Sequence, residues 1–163
     1  LFTEVDNSYE QLKRRAMLSS VSLSVVSELK SGSAWYVPGG RSTTGRLFDD
    51  ACGRYVFAED KHSGSIPLAF ETVFDKAGDA DVWLIKYNRD RDMTYSDMEA
   101  DYIGYTGFKA FKTRNIYGCN TAKVPFYEET PFRPDYLLAD LIQILHPEIG
   151  DLGGLRYFCK LNE

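Results

Sequence analysis

The run "ADVWLIKY", residues 80–87, is apolar almost from end to end. A strand with one wet face alternates apolar and polar residues, whereas a strand covered on both faces does not. The run therefore predicts a strand in the middle of a mainly parallel sheet. Downstream, Thr94 and Asp97 have the spacing of a capping box and predict a helix carrying Met98 and Tyr102. Phe108 and Phe111 anchor a further helical turn, and "NIYG" (115–118) is the next strand. A long loop, Cys119 to Phe132, precedes a helix from Pro134 to Leu145, with Leu137, Leu138, Leu141, Ile142 and Leu145 as its core face. Pro147 stops that helix, and "LRYFCKL" (155–161) reads as a last extended segment.

Upstream of the run the same alternation of elements continues. Phe70 to Ala77 is a helix with Phe70, Val73, Phe74 and Ala77 on one side and Gly78 closing it. "RYVF" (54–57) is a short strand, preceded by a helix capped at Ser42 or Thr43, with Leu47, Phe48, Ala51 and Cys52 buried and Gly53 at its C′ position. Val21 to Leu29 alternates apolar residues with serines and predicts a half-buried strand. "KSGS" (30–33) then turns the chain into "AWYV" (34–37), a hairpin ended by Pro38-Gly39-Gly40. On that second strand Trp35 should face the core and Tyr36 should face outward. Asn7 to Met17 is helical, with a stripe of Tyr9, Leu12 and Ala16. The pattern predicts an α/β fold: a three-layer α/β/α sandwich around a mainly parallel sheet, starting with an N-terminal β-hairpin.

Composition narrows the function. The net charge of −5 argues against non-specific nucleic-acid binding, which needs a basic stripe. No apolar run reaches the length of a membrane span. Cys52, Cys119 and Cys159 are far apart and odd in number, with neither metal spacing nor a disulfide framework. Nucleophile-elbow and zinc-protease motifs do not occur. His62 lies in a polar loop and His146 at a helix end, both structural readings. No catalytic and no metal-ligating residues are assigned.

Gly39-Gly40-Arg41-Ser42 sits after a strand and before a helix, where free N–H groups and a positive helix end favour an anion. Its spacing is neither that of a dinucleotide fingerprint nor that of a P-loop. "YEE" (127–129) sets a phenol beside two carboxylates, oxygen donors of the kind iron takes.

The ordered series "WYVPGGRS" (35–42), "DDACGRYVF" (49–57), "GSIPLAFETVF" (64–74) and "ADVWLI" (80–85) resembles the C-terminal lobe of the periplasmic substrate-binding proteins that serve iron-siderophore, haem and cobalamin importers. The likeness runs from about Val21 to Leu145. It implies that residues 1–17 end the long helix joining two lobes, that 18–163 form the C-terminal substrate-binding lobe, and that a first lobe precedes them. It further implies a non-enzymatic, monomeric solute-binding component in the periplasm or cell envelope, lipid-anchored in the full-length protein. Its ligand would be an iron chelate, haem or cobalamin, delivered to the permease subunits of an ABC transporter. Ligand contacts would come from three loops at one edge of the sheet: Gly39, Gly40, Arg41 and Ser42; Ser65; and Asn120, Thr121, Tyr127 and Glu129. Glu71, in the family's "S-x-E" helix start, would dock on permease arginines. Ala69 replaces the serine of that start, Arg54 replaces a glycine, and Ser65 stands where some cobalamin binders place an aromatic, which favours an iron chelate. Two other functions fit the residues: a small α/β enzyme acting on an anionic small molecule, or a non-catalytic protein-interaction module.

Overall fold

The computed structural model describes residues 2–163. Helix α1 (Phe2–Met17) leads to β1 (Ser24–Ser27), β2 (Lys30–Ser31), β3 (Ala34–Pro38), α2 (Thr43–Asp50), β4 (Arg54–Tyr55) and β5 (Ser65–Leu68). Then come α3 (Phe70–Ala77), β6 (Val82–Tyr87), α4 (Tyr95–Asp101), a 3-10 turn (Ile103–Gly107), α5 (Lys109–Lys112) and β7 (Ile116–Asn120). The last elements are the one-turn α6 (Phe126–Glu129), α7 (Pro134–Leu145) and β8 (Cys159–Lys160). Strand β6 is the middle of a five-stranded sheet, β4-β1-β6-β7-β8, parallel except at β8. Val82, Trp83, Leu84 and Ile85 are all buried, as a strand covered on both faces requires. The mixed α/β class with a mainly parallel central sheet is the one the sequence predicts.

Local chemistry sets most boundaries. Ser42 caps α2 by accepting the Gly45 N–H at 3.0 Å. Thr94 and Asp97 make the reciprocal capping box of α4. Pro134 starts α7. Ala69 leaves α3 without a side-chain cap.

Two N-terminal readings need correction. Val21–Leu29 does not open a hairpin: only Ser24–Ser27 is strand, and Val25, Val26 and Ser27 are all buried between β4 and β6. The hairpin is β2 with β3, and it belongs to a second, antiparallel sheet, β2-β3-β5. The chain changes sheets at Glu28, whose φ of 76° is left-handed and invisible to any hydropathy pattern. At the end of α2 the left-handed residue is Cys52 (φ 56°), not Gly53. The Gly53 N–H bonds Phe48 O and the Cys52 N–H bonds Asp49 O, both at 2.9 Å, the Schellman pattern. Gly53 is a close packing position instead: a Cβ there would stand 2.6 Å from Leu145 Cδ1, so that side chain would have to shift. "RYVF" shortens to β4, and the long loop read from Cys119 contains the end of β7 and all of α6.

The two sheets meet at an aromatic cluster. Trp35 of β3 stacks on Trp83 of β6 with ring centroids 5.6 Å apart, and Phe108 lies 4.7 Å from Trp83. Tyr105 packs edge-on against both indoles. Trp35 is fully buried while Tyr36 is 52% exposed, the division the strand alternation predicts. Both indoles also donate to the crossover: Trp35 Nε1 to Ser27 O at 3.1 Å and Trp83 Nε1 to Glu28 O at 2.9 Å.

Replacing Trp83 by Phe keeps a large ring but strips the Glu28 carbonyl of its donor. The expected loss is about 1–3 kcal/mol, read as a lower urea midpoint at unchanged slope. Asp97 gives a pH-dependent counterpart. The Arg91 guanidinium, bonded to both its oxygens at 2.7 Å, holds this carboxyl well below the usual carboxylate range. Its contribution is present above the ordinary carboxylate pKa and is lost as the pH falls through the depressed value. Asp97→Asn should therefore flatten the acid limb of a stability–pH profile.

Candidate functional site

Open α/β sheets bind ligands beyond the carboxyl ends of their parallel strands. At that edge β1 ends in Glu28 and β6 ends near Lys86, and the two form the floor of a cleft of about 410 Å³. Tyr36 and Pro38 of β3 make one wall, the first turn of α2 (Ser42–Thr44) a second, and Ser63–Ser65 a third. The first-turn N–H groups of a helix have no intrahelical acceptor, so this end of α2 offers donors and a positive dipole end.

The floor is a charged pair on a strained backbone. Lys86 Nζ lies 3.3 Å from Glu28 Oε1, with the two side chains 25% and 23% exposed. The ammonium is also 5.2 Å from the Phe126 ring centroid. Glu28 is held left-handed by its N–H bond to Leu84 O at 2.9 Å and by the Trp83 indole on its carbonyl. Beneath the pair is a chamber of about 30 Å³ lined by Ser27, Leu84, Phe126 and Leu141. The Ser27 hydroxyl, buried there, has no hydrogen-bond partner among the described residues.

The Gly-Gly turn works differently from the sequence reading, because its amides are not free. Gly39 N–H bonds Gly64 O at 2.8 Å, Arg41 N–H bonds His62 O at 3.1 Å, and Ser42 N–H bonds Gly39 O at 3.1 Å. The Asp60 carboxylate accepts the His62 N–H at 2.8 Å, which holds it below its usual range. Glycine is demanded by close approach of the 58–64 loop. A Cβ on Gly39 would stand 2.2 Å from His62 O, and one on Gly40 would stand 2.3 Å from Asp60 O. The turn clamps that loop into the cleft wall.

Of the residues singled out from sequence, Ser42 and Ser65 line the cleft. The Ser42 hydroxyl is committed, donating to Gly39 O at 2.6 Å while it caps Gly45, so Ser42 faces the cleft as backbone. Arg41 is exposed beside it. Asn120 is buried and fully engaged: its oxygen accepts from Arg89 N and Ala122 N, and its amide donates to Arg89 O at 2.9 Å. Thr121 Oγ1 donates to Tyr87 O at 3.2 Å, and Glu129 accepts the Tyr157 hydroxyl at 2.8 Å, which fastens the C-terminal segment. Tyr127 is 62% exposed and packs edge-on against Phe126. "YEE" is thus split, with its phenol pointing outward and Glu129 engaged elsewhere. His146 is wholly buried between Ser19 Oγ (2.8 Å) and Ala51 O (2.7 Å). Glu71 is exposed on the first turn of α3, in a surface depression with Phe74, Asp75 and Asp79.

A larger groove, about 540 Å³, lies between α1 and α2. Two of its polar groups are tied together, Tyr9 donating to Asp50 at 2.5 Å, and Lys13 pairs with the same carboxylate at 3.5 Å. The strand-edge cleft is the better site. Sequence reading missed its floor. Lys86 carried a signal, as the first charge to break the apolar run of β6, at its carboxyl end. Glu28 carried none, because its position depends on a turn stabilised from other elements.

The clamp is testable. Gly39→Ala must displace a backbone carbonyl and should cost about 1–3 kcal/mol, with faster amide exchange across residues 58–64. Arg41→Ala, at an exposed position, should change stability by less than about 0.5 kcal/mol.

Comparison with known proteins agrees with this geometry. A family model described as periplasmic binding protein matches residues 1–122. An uncharacterized lipoprotein of Methanocaldococcus jannaschii is 30% identical over 128 residues, which is 78% of this chain and 30% of that protein. The structure is similar to the TroA-like periplasmic binding protein FepB of Veillonella parvula (TM-score 0.67, 15% identity, 97% of this chain and 54% of that one). It is also similar to a periplasmic heme binding protein of Pseudomonas aeruginosa (TM-score 0.69, 13% identity, 99% and 56%). An ABC-type Fe3+-hydroxamate transport system protein of Saccharomonospora viridis gives a TM-score of 0.63 at 14% identity, over 91% and 48%. The chain thus spans about half the length of these solved structures. With a family match over residues 1–122, most of its length, the chain belongs to the periplasmic binding protein family.

Proposed function

We propose that the cleft takes a metal chelate, an iron-siderophore or haem in preference to cobalamin, and that the protein hands it to the permease of an ABC importer at the cell envelope. The observation that carries this reading is the open cleft at the carboxyl edge of β1 and β6, walled by a helix N-terminus, hydroxyl groups and one exposed tyrosine. Haem and iron-hydroxamate complexes present anionic or strongly polar oxygens around a flat or globular body. Those oxygens suit the donors of α2, and the body suits Tyr36. The names of the heme-binding and Fe3+-hydroxamate relatives point to the same ligand class. The lipoprotein relative supports attachment to the envelope. In this reading the cleft faces a second lobe of the longer protein. Arg41 reaches the chelate from the rim, and Ser42 and Ser65 contact it from the walls.

Glu71 is the proposed permease contact. It is exposed at the start of α3, where the helix dipole favours a carboxylate. A permease arginine could bond it bidentately.

Titrating the full-length protein with haem, a ferric trihydroxamate and cyanocobalamin, followed by tryptophan fluorescence, tests the ligand class. Saturable quenching by one of the two iron compounds is expected. Saturation by none of the three would overturn the reading. Arg41→Ala should weaken an anionic chelate by roughly 1–3 kcal/mol. For docking, Glu71→Lys should leave chelate affinity intact and abolish uptake through the cognate permease. Uptake that survives the reversal removes Glu71 from that role.

A further inference from the structure

We propose that Glu28 and Lys86 are an exchangeable ion pair that selects anionic ligands: a ligand oxygen takes the place of the Glu28 carboxylate on the Lys86 ammonium. This rests on the reading of the strand-edge cleft as the ligand site, and it assigns the group at its floor that does the choosing.

Four observations carry it. The first is the contact itself. At 3.3 Å it is longer than the 2.7–2.9 Å usual for a charge-assisted hydrogen bond. An ammonium has three donors, and besides Glu28 its other neighbour is the face of Phe126. Lys86 therefore has donors to spare for an incoming oxygen, and it lies on the cleft floor. The second is backbone strain. Among the described residues Glu28 is one of three left-handed non-glycine residues, and of these it alone lines the cleft. Such a conformation persists only where neighbours over-determine it, and it gathers at ligand sites. Glycine would fit there without strain, as Gly32 does in the adjacent hairpin at φ 61°. The carboxylate is what glycine would lack.

The third observation is the Ser27 hydroxyl, buried without a partner in the chamber directly under the pair. A buried hydroxyl left unbonded costs free energy. Movement of Glu28 or Lys86, or an oxygen entering from above, gives it a partner. The fourth is the character of the remaining walls. The α2 N-terminus and the hydroxyls of Thr43, Thr44, Ser63 and Ser65 offer donors, and Glu28 is the only carboxylate lining the cleft. An oxygen-rich anion is complementary to every wall and competes with Glu28 alone. For a cation Glu28 is the one charged partner in that lining, and it is already engaged by Lys86. In the empty cleft the pair holds the ammonium without leaving it unpaired, since an isolated buried charge is strongly unfavourable. When an anionic ligand arrives, Glu28 turns outward and Lys86 keeps a partner throughout.

Purely structural use of the pair predicts something different. A structural pair loses stability when either partner is removed and leaves ligand preference untouched. An exchangeable pair makes the two substitutions act in opposite directions on anion affinity.

The test compares haem, whose propionates are anionic, with cyanocobalamin, which has no carboxylate, on the full-length protein. Glu28→Gln removes the competitor and should tighten haem about tenfold. Lys86→Gln should weaken haem about ten- to hundred-fold. Any cyanocobalamin binding should change less than about threefold in both variants, below the cost of one ordinary hydrogen bond. Circular dichroism and thermal midpoints establish that each variant is folded. A second pair, the single variant Glu28→Gly and the double variant Glu28→Gly with Lys86→Gln, repeats the comparison with the backbone strain relieved. If wild type binds haem and Glu28→Gln weakens it, or Lys86→Gln leaves it unchanged, the exchange is wrong while the cleft remains the ligand site. If wild type binds none of haem, a ferric trihydroxamate and cyanocobalamin, the cleft reading falls and the exchange falls with it; if it binds the trihydroxamate but not haem, the selection of anions is wrong while the cleft reading stands.

Discussion

Two indole N–H groups hold the backbone step at which the chain changes sheets. Between Ser27 and Glu28 the chain leaves the central parallel sheet and enters the antiparallel hairpin sheet, through a left-handed glutamate. Trp35 donates to the first of those carbonyls and Trp83 to the second. The same two rings stack on each other at the centre of the aromatic cluster. Hydrogen bonding and apolar burial are therefore supplied by the same side chains, which joins the two sheets where they would otherwise part. Buried carbonyls without donors are costly, so the crossover, the relative placement of the sheets and the position of Glu28 depend on this pair together.

The cleft inherits its shape from that junction. β1 delivers Glu28 and β6 delivers Lys86 to the same edge, and the hairpin that begins after the crossover supplies the Tyr36 wall. The Gly-Gly turn then fixes the opposite rim. Its amides bond the loop of residues 58–64, and its missing side chains let that loop approach within bonding distance. The turn holds Ser63–Ser65 and the start of α2 in place as walls of the cleft. The helix end behind the turn remains the anion-favouring element.

Charge is distributed unevenly over the chain. The net value is −5, yet the cleft floor carries one charge of each sign and the rim carries Arg41. Exposed carboxylates gather elsewhere, as along α3, where Glu71, Asp75 and Asp79 flank Phe74. Such a separation is what the proposed anionic solute and the proposed basic permease contact would each require.

Much of this was readable from residues alone. The unbroken apolar run of β6 is a local property, and it called for a buried parallel strand before any contact was known. Ser42, Thr94 and Pro134 mark helix starts through bonds made within one turn. Ordered motifs from Trp35 to Ile85 pointed to the family. The floor of the cleft and the crossover were not readable in this way. Glu28 is left-handed because Leu84, Trp83 and the paired sheets hold it so from distant positions in the chain. Asn120 and Glu129 look free in sequence, yet folding sets them against Arg89 and Tyr157. Gly39 and Gly40 look like a ligand turn because local spacing cannot show a loop arriving from residues 58–64. Periodicity, capping and turn chemistry are short-range and survive in the sequence. Which donor meets which acceptor across the fold is a long-range matter, and it is settled only when the sheets pack and each buried polar group must find a partner.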